Sequence, residues 1–341
     1  MARAMLPDAH GPRLIVHIGP HKTASSYLQA NFAARRGALK AAGWMYPRLG
    51  MAAGEVAHHA LASAPRDWLD PRTDCAKRLA HLGRRARRNN FALLLSSEAF
   101  SAWPVDHWAA LASLTGMTPE LAIVLRDPRE RALSYWAEEV KQGHVTSLPE
   151  RLAPDLAAPL VSPLLNPLLL LDRLSAAHLP LRLVRWPDRP ATGVDFFARF
   201  AQNVLGVLSL AAVHRAPRNA RFPIEMTELL RLQNAQLSTR QRIAALPRLM
   251  AMAPPARAEL SAHIRALIGP PHVLTLPADG IAQRFCARQL SRRYAAQFCE
   301  GMSAPPRAPR DVHCPYYPDR QLWGCAPMQA LARDFHRDLV A

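Results

Sequence analysis

The stretch Leu14-Ile15-Val16-His17-Ile18-Gly19-Pro20-His21-Lys22-Thr23-Ala24-Ser25-Ser26-Tyr27 decides the fold of this 341-residue chain. Its first half is an apolar, β-branched run ending on a glycine, the pattern of a strand buried in a parallel sheet. Its second half opens a helix expected over 24–40, with Tyr27, Leu28, Phe32 and Leu39 at helical spacing. A strand that turns through glycine into a helix N-terminus presents unpaired backbone N–H groups and the positive end of the helix dipole, and together these cradle an anion. Lys22, Thr23, Ser25 and Ser26 add one cation and three hydroxyls at the same place. The loop is not of the G-x-x-x-x-G-K-[ST] type, because Val16 and His21 stand where that pattern has glycine. The same residues also fit an ordinary strand-to-helix turn with a solvated lysine.

Outward from that stretch, strands and helices alternate. A helix is expected over 75–88, and a buried strand over 91–95 leads into Ser96-Ser97-Glu98. Another helix spans 105–114, and a third strand spans 121–125. Arg126-Asp127-Pro128 then starts a helix that runs to about residue 142, with Asp127 as cap and proline in the first turn. This order makes a parallel α/β sheet. Residues 146–180 read as a helical insertion with irregular ends, 181–186 as a further strand, and 193–205 as a helix with Phe196, Phe197 and Phe200 on one side. The second half is mainly helical, over 223–236, 240–252, 256–268 and 281–299, with a short strand at 273–276. The proline-bearing segment 303–324 reads as an extended arm that returns a C-terminal helix to the body. No internal repeat is present.

Composition narrows the function classes. Lys plus Arg number 43 against 26 Asp plus Glu, a formal charge of +17, with 50% apolar and 20% charged residues, as in a globular chain. Lysine occurs only at Lys22, Lys40, Lys77 and Lys141, so the excess is arginine spread along the chain, a pattern of coding bias in a GC-rich genome. A nucleic-acid binder clusters its cations on one element. The densest run here, Arg84, Arg85, Arg87 and Arg88, falls at the end of an expected helix, where cations favour the dipole. A net positive field still favours anionic ligands. Cys75, Cys286, Cys299, Cys314 and Cys325 form no metal-binding spacing, so reduced thiols and no metal site are expected. The apolar runs 163–171 and 204–213 fall short of the ~18–20 residues that span a bilayer. Residues 1–13 lack the apolar core of a secretion signal, and the expectation is a cytoplasmic chain starting near Met1.

A second site-bearing segment is Leu125-Arg126-Asp127-Pro128-Arg129-Glu130-Arg131-Ala132-Leu133-Ser134-Tyr135. Arg126 leaves the carboxyl end of an expected central strand, where ligands of doubly wound sheets collect. An arginine there holds a phosphate through two parallel hydrogen bonds, or pairs with a carboxylate. Arg129, Glu130 and Arg131 read as an exposed charged face.

Together the two segments resemble the sulfotransferase family that uses 3′-phosphoadenosine 5′-phosphosulfate (PAPS). HIGPHKTASSYLQ is similar to that family's 5′-phosphosulfate loop, and LRDPRERALSYW to its 3′-phosphate motif, with the Ser eight residues after the Arg. Between them, LLLSSEAFS resembles the strand and acidic loop that bacterial and carbohydrate sulfotransferases carry in this order. The resemblance covers residues 14 to about 142, and departs from the family at Ala24, where glycine is usual.

The resemblance implies a P-loop-type doubly wound parallel sheet flanked by helices, with a mainly helical C-terminal half, in one domain over 1–341. Within it, 12–145 would be the donor-binding core, 146–300 a helical acceptor-side region and 301–341 the arm and last helix. It also implies sulfuryl transfer from PAPS to an acceptor hydroxyl or amine, leaving adenosine 3′,5′-bisphosphate (PAP), with no metal. Gly19, His21, Lys22, Thr23, Ala24, Ser25 and Ser26 would form the donor loop, with Lys22 on the bridging oxygen, while Arg126 and Ser134 would hold the 3′-phosphate.

Glu98 matches in outline the catalytic glutamate of carbohydrate sulfotransferases. The base reading is preferred over a helix N-terminal carboxylate or the partner of an arginine. His58 and His59 are the acceptor-site candidates, and a histidine pair on a helix also fits a structural role. His17 reads as a satisfied core histidine. The acceptor, a glycan or another hydroxyl compound, is not legible, and Arg215, Arg218 and Asn219 show no crisp match to a family motif. The rival readings are a small-molecule kinase on the same kind of sheet and a catalytically silent basic scaffold.

Overall fold

Leu14–His17 is buried along its whole length and forms the middle strand of the sheet, β1. The structure, a computed structural model, describes residues 12–186, 195–208, 210–214, 222–236, 246, 249–277, 280–299 and 310–340. Most of the expected helix 240–252, Arg215, Arg218 and Asn219, residues 1–11, the start of the expected helix 193–205 and the first part of the arm, 303–309, lie outside the described residues.

The chain divides into two compact units: 1–127 with 167–219 and 286–307, and 128–166 with 220–285 and 308–341. In the first unit, β1 is followed by α1 (Ser25–Ala34), α2 (Arg36–Ala41), β2 (Trp44–Met45), α3 (His59–Ser63), α4 (Pro65–Leu69) and α5 (Asp74–Arg88). Next come β3 (Ala92–Ser96), a 3-10 turn (Glu98–Ala102), α6 (Val105–Thr115) and β4 (Pro119–Leu125). The five strands, closed by β5 (Leu181–Arg185), are all parallel in the order β2-β3-β1-β4-β5.

Side chains alternate along a strand, and the sheet shows it. Leu14, Val16, Leu93, Leu95, Leu121, Ile123 and Leu183 face one apolar cluster with Leu79, Trp108 and Leu171. Ile15, Leu94, Ala122, Val124 and Val184 face another with Leu28, Phe32, Phe197 and Phe200. Each fully buried side chain of this size contributes about 1.5–3 kcal/mol. Helices therefore cover both faces, and the edge at the strands' carboxyl ends is left to loops.

The expected helix 24–40 is broken at Arg35, whose φ of −102° and ψ of 14° leave the helical region. α5, β4 and β5 lie where the expected helix 75–88 and the expected strands 121–125 and 181–186 were read. β2 was not anticipated.

In the second unit, α7 (Pro128–Lys141) and α8 (Leu148–Ala157) accompany a central helix, Ile224–Gln236, buried at every position from Glu225 to Asn234. Its charges are paired inside the unit, Glu225 with Arg265 and Glu228 with Arg231, which also meets Asp319. The short strand β6 (His272–Leu276) pairs antiparallel with β7 (Val312–Tyr316), which lies inside the expected arm. One reading of α7 is overturned: Arg129 and Arg131 are buried at 6% and 8% exposure instead of forming an exposed face. Their guanidiniums are turned to backbone carbonyls, of Leu276 for Arg129 and of Pro163 and Leu164 for Arg131. Five N–H donors in a fork let arginine satisfy buried carbonyls that lysine could not.

Candidate functional site

Because β1, β3 and β4 are parallel neighbours, their carboxyl ends bring three segments to one edge of the sheet: residues 18–25, Ser96 to Glu98, and Arg126. The ladder extends one residue past β1, where Ile18 N–H donates to the Ala122 carbonyl at 3.0 Å. The chain then curls. A Cβ built on Gly19 would stand 2.8 Å from Thr23 Oγ1, 2.9 Å from Ser25 Oγ and 3.2 Å from His17 Nε2, so only glycine fits under the loop. Thr23 donates its hydroxyl to the Pro20 carbonyl at 2.7 Å and holds the turn closed.

Two non-glycine residues in this turn take the left-handed conformation, Lys22 at φ 70° and Ala24 at φ 63°. Each such residue costs on the order of 1–3 kcal/mol, and strain of this kind gathers at ligand sites. Ala24, which stands where the resembled motif has glycine, thus adopts the backbone that glycine prefers. It occupies the N-cap position of α1, and no side chain caps that helix end. Ser25 is 3% exposed and its Oγ has no hydrogen-bond partner among the described residues; the same holds for Nε2 of the fully buried His17.

Those buried polar atoms, the uncapped helix N-terminus and the close approach at Gly19 fit an anionic group with phosphate oxygens. Around them His21 is exposed, while Lys22 and Ser26 are half-buried. Arg126 comes from 104 residues away, and its Nη1 donates to the Lys22 carbonyl at 3.2 Å. Ser134 is half-buried on α7 in the second unit, so its share in a 3′-phosphate site rests on the motif alone.

The segment after β3 supplies a carboxylate and two hydroxyls. Ser97 caps the 3-10 turn by accepting from Ala99 N–H at 3.2 Å. Glu98 sits at the start of that turn, where Gln29 Nε2 donates to Oε2 at 3.1 Å and His59 Nε2 lies 3.8 Å from the same oxygen. Its partners are therefore a buried amide and an imidazole, not an arginine. Gln29 carried no recognisable signal in the sequence beyond its place one turn after Ser25 on the inner face of α1.

The three histidines differ. His17 bonds through Nδ1 to Ser96 Oγ at 2.8 Å, so one ring nitrogen is satisfied and the other is not. Burial lowers its pKa to about 4, against the pull of the Glu98 charge. His58, expected beside an acceptor, is wholly buried. Its Nδ1 accepts from Ser96 N–H at 3.0 Å, and its Nε2 meets the Pro47 carbonyl at 3.1 Å. Burial lowers it to about 3 although the backbone hydrogen bonds oppose this, so it is a neutral brace between the loop after β2 and the end of β3. His59 keeps 41% of its side chain exposed and bonds through Nδ1 to Ser97 Oγ at 2.8 Å.

All five cysteines are free thiols, no metal-binding group of side chains occurs among the described residues, and no described helix is long and apolar enough to cross a membrane. No protein-family model, curated protein or solved structure matches this chain.

Proposed function

We propose that this protein is a sulfotransferase with a P-loop-type sheet that moves a sulfuryl group from PAPS to an acceptor hydroxyl or amine. One observation carries the reading: the Arg126 guanidinium reaches back to the backbone carbonyl of Lys22, so residues named by two separate motifs come to one loop. That loop has a left-handed backbone at Lys22 and Ala24 and an unpartnered Ser25 hydroxyl.

The assigned roles follow from charge and place. The N–H groups at the start of α1, with Thr23, Ser25 and Ser26, cradle the 5′-phosphate, with His21 at the loop's exposed side. Lys22 offsets charge on the bridging oxygen, and Arg126 takes the 3′-phosphate. In the transfer, the acceptor oxygen forms a new bond to sulfur as the bond to the bridging oxygen breaks. The acceptor's proton passes to Glu98, and PAP leaves with the electron pair. As in phosphoryl transfer, positioning and charge stabilisation supply most of the rate.

The test is thermal. At 100-fold excess over its Kd, PAP should stabilise the protein by about 2.7 kcal/mol, read as a rise in Tm of several degrees. Lys22→Ala and Arg126→Ala should each erase the rise. No shift at millimolar PAP overturns the proposal, and a larger shift with ATP and magnesium turns it toward a kinase.

A further inference from the structure

Glu98 is held at one oxygen only. Gln29 and His59 both approach Oε2, and Oε1 has no partner among the described residues. The hydrogen bonds around His59 decide which of its nitrogens carries the proton. Ser97 Oγ already accepts from Ala99 N–H, so its own proton is available to His59 Nδ1, 2.8 Å away. A carboxylate only accepts. The donors and acceptors match when Nδ1 accepts a hydrogen bond from the Ser97 O–H and Nε2–H is on the side of Glu98. In that tautomer His59 has no lone pair free to act as a base.

We propose that His59 is a positioning residue for Glu98. Its Nε2–H closes from 3.8 Å onto Oε2 as the acceptor binds, in the way catalytic hydrogen bonds tighten in reactive complexes. Gln29 and His59 then fix one oxygen, and Oε1 takes the acceptor's proton. The two holders come from different parts of the first unit: Gln29 lies within α1, and His59 begins α3 beside the buried brace His58. The carboxylate is thereby tied to the donor loop's own helix, so donor and base keep one relative placement. The inference rests on the sulfuryl-transfer reading for its chemistry, but not for the contact itself.

Two measurements test it. In protein labelled with 15N-histidine, with His59→Gln supplying the assignment, His59 should show the Nε2–H tautomer at pH 8; the Nδ1–H tautomer overturns the proposal. In the second, release of labelled sulfate from PAPS, with water as acceptor, should fall roughly 10–100-fold in kcat for His59→Ala, part of the ~10²–10⁴ that a general base supplies. KM for PAPS and the Tm rise with PAP should stay unchanged. His59→Gln, which restores an N–H on that side, should recover most of the rate, and a glutamine variant as slow as alanine also overturns the proposal. A wild-type protein that neither binds PAP nor releases sulfate sinks the sulfotransferase reading, while the tautomer still decides the His59 contact.

Discussion

The two edges of the five-stranded sheet treat charge in opposite ways. At the amino edge, Glu120 near the start of β4 is gripped by Arg13 Nε at 2.9 Å and Arg182 Nε at 2.6 Å. Burial works to raise its pKa, but the hydrogen bonds from both guanidiniums win and hold it below the ordinary value. At the carboxyl edge, Arg126 is turned to a backbone carbonyl, and Ser25 Oγ and His17 Nε2 have no partner among the described residues. Groups paired as Glu120 is leave no hydrogen-bonding capacity aimed at a ligand. Polar atoms buried at a cost of about 1–3 kcal/mol each and left unpaired are tolerated where a ligand completes them. The contrast lies in the unpaired hydroxyl and imidazole nitrogen at the carboxyl edge, since arginines meet carboxylates or backbone carbonyls in both units.

The largest effect expected from this contrast is on stability as a function of pH. Buried His17 and His58 stay neutral down to about 4 and about 3, whereas unfolded histidine takes up a proton near 6.5. Below about 6.5 the unfolded chain therefore binds more protons, and stability falls as pH drops through that window. Between pH 7 and pH 5 the two together should cost on the order of 3 kcal/mol, read from urea unfolding at both values. His58→Gln should remove about half of that dependence, and an unchanged dependence would show that His58 is protonated in the fold.

A smaller effect is expected at the amino edge, where Glu120→Gln should cost about 1–2 kcal/mol, since the group is partly exposed and screened. The Tm rise with PAP should be untouched; a lost rise would mean that the two edges are coupled and the contrast is wrong. Smallest is Ala24→Gly. Relief of the left-handed strain, about 1–2 kcal/mol, is offset by about 0.4–1 kcal/mol of added freedom in the unfolded chain. The net is a gain of up to about 1.6 kcal/mol with tighter PAP binding. Destabilisation by Ala24→Gly would show that the loop is relaxed as it stands.

Much of the first unit was legible in advance because its signals are local. β1, β3 and β4 contain short apolar runs and β5 alternates, while α5 and α6 show helical periodicity with a capping threonine or a closing glycine. The composition of the loop after β1 could be read for the same reason, since glycine, lysine and hydroxyls within eight residues need no tertiary information. The site's second layer could not. Gln29 and Glu98 lie 69 residues apart, and Arg126 and Lys22 104 apart; nothing in either neighbourhood names the other.

Residue order alone therefore carries the strand-loop-helix units and the chemistry available at the loop, because period, capping and composition act within a few residues. Tertiary structure decides the partners. It pairs β6 with β7 across 35 residues of chain, and a two-residue strand such as β2 exists only because β3 hydrogen-bonds to it. It turns Arg129 and Arg131 inward, encloses His58 while leaving His59 exposed, and forces Ala24 into a glycine conformation. Each of these is settled by what packs against the residue, a non-local energy that no stretch of sequence contains.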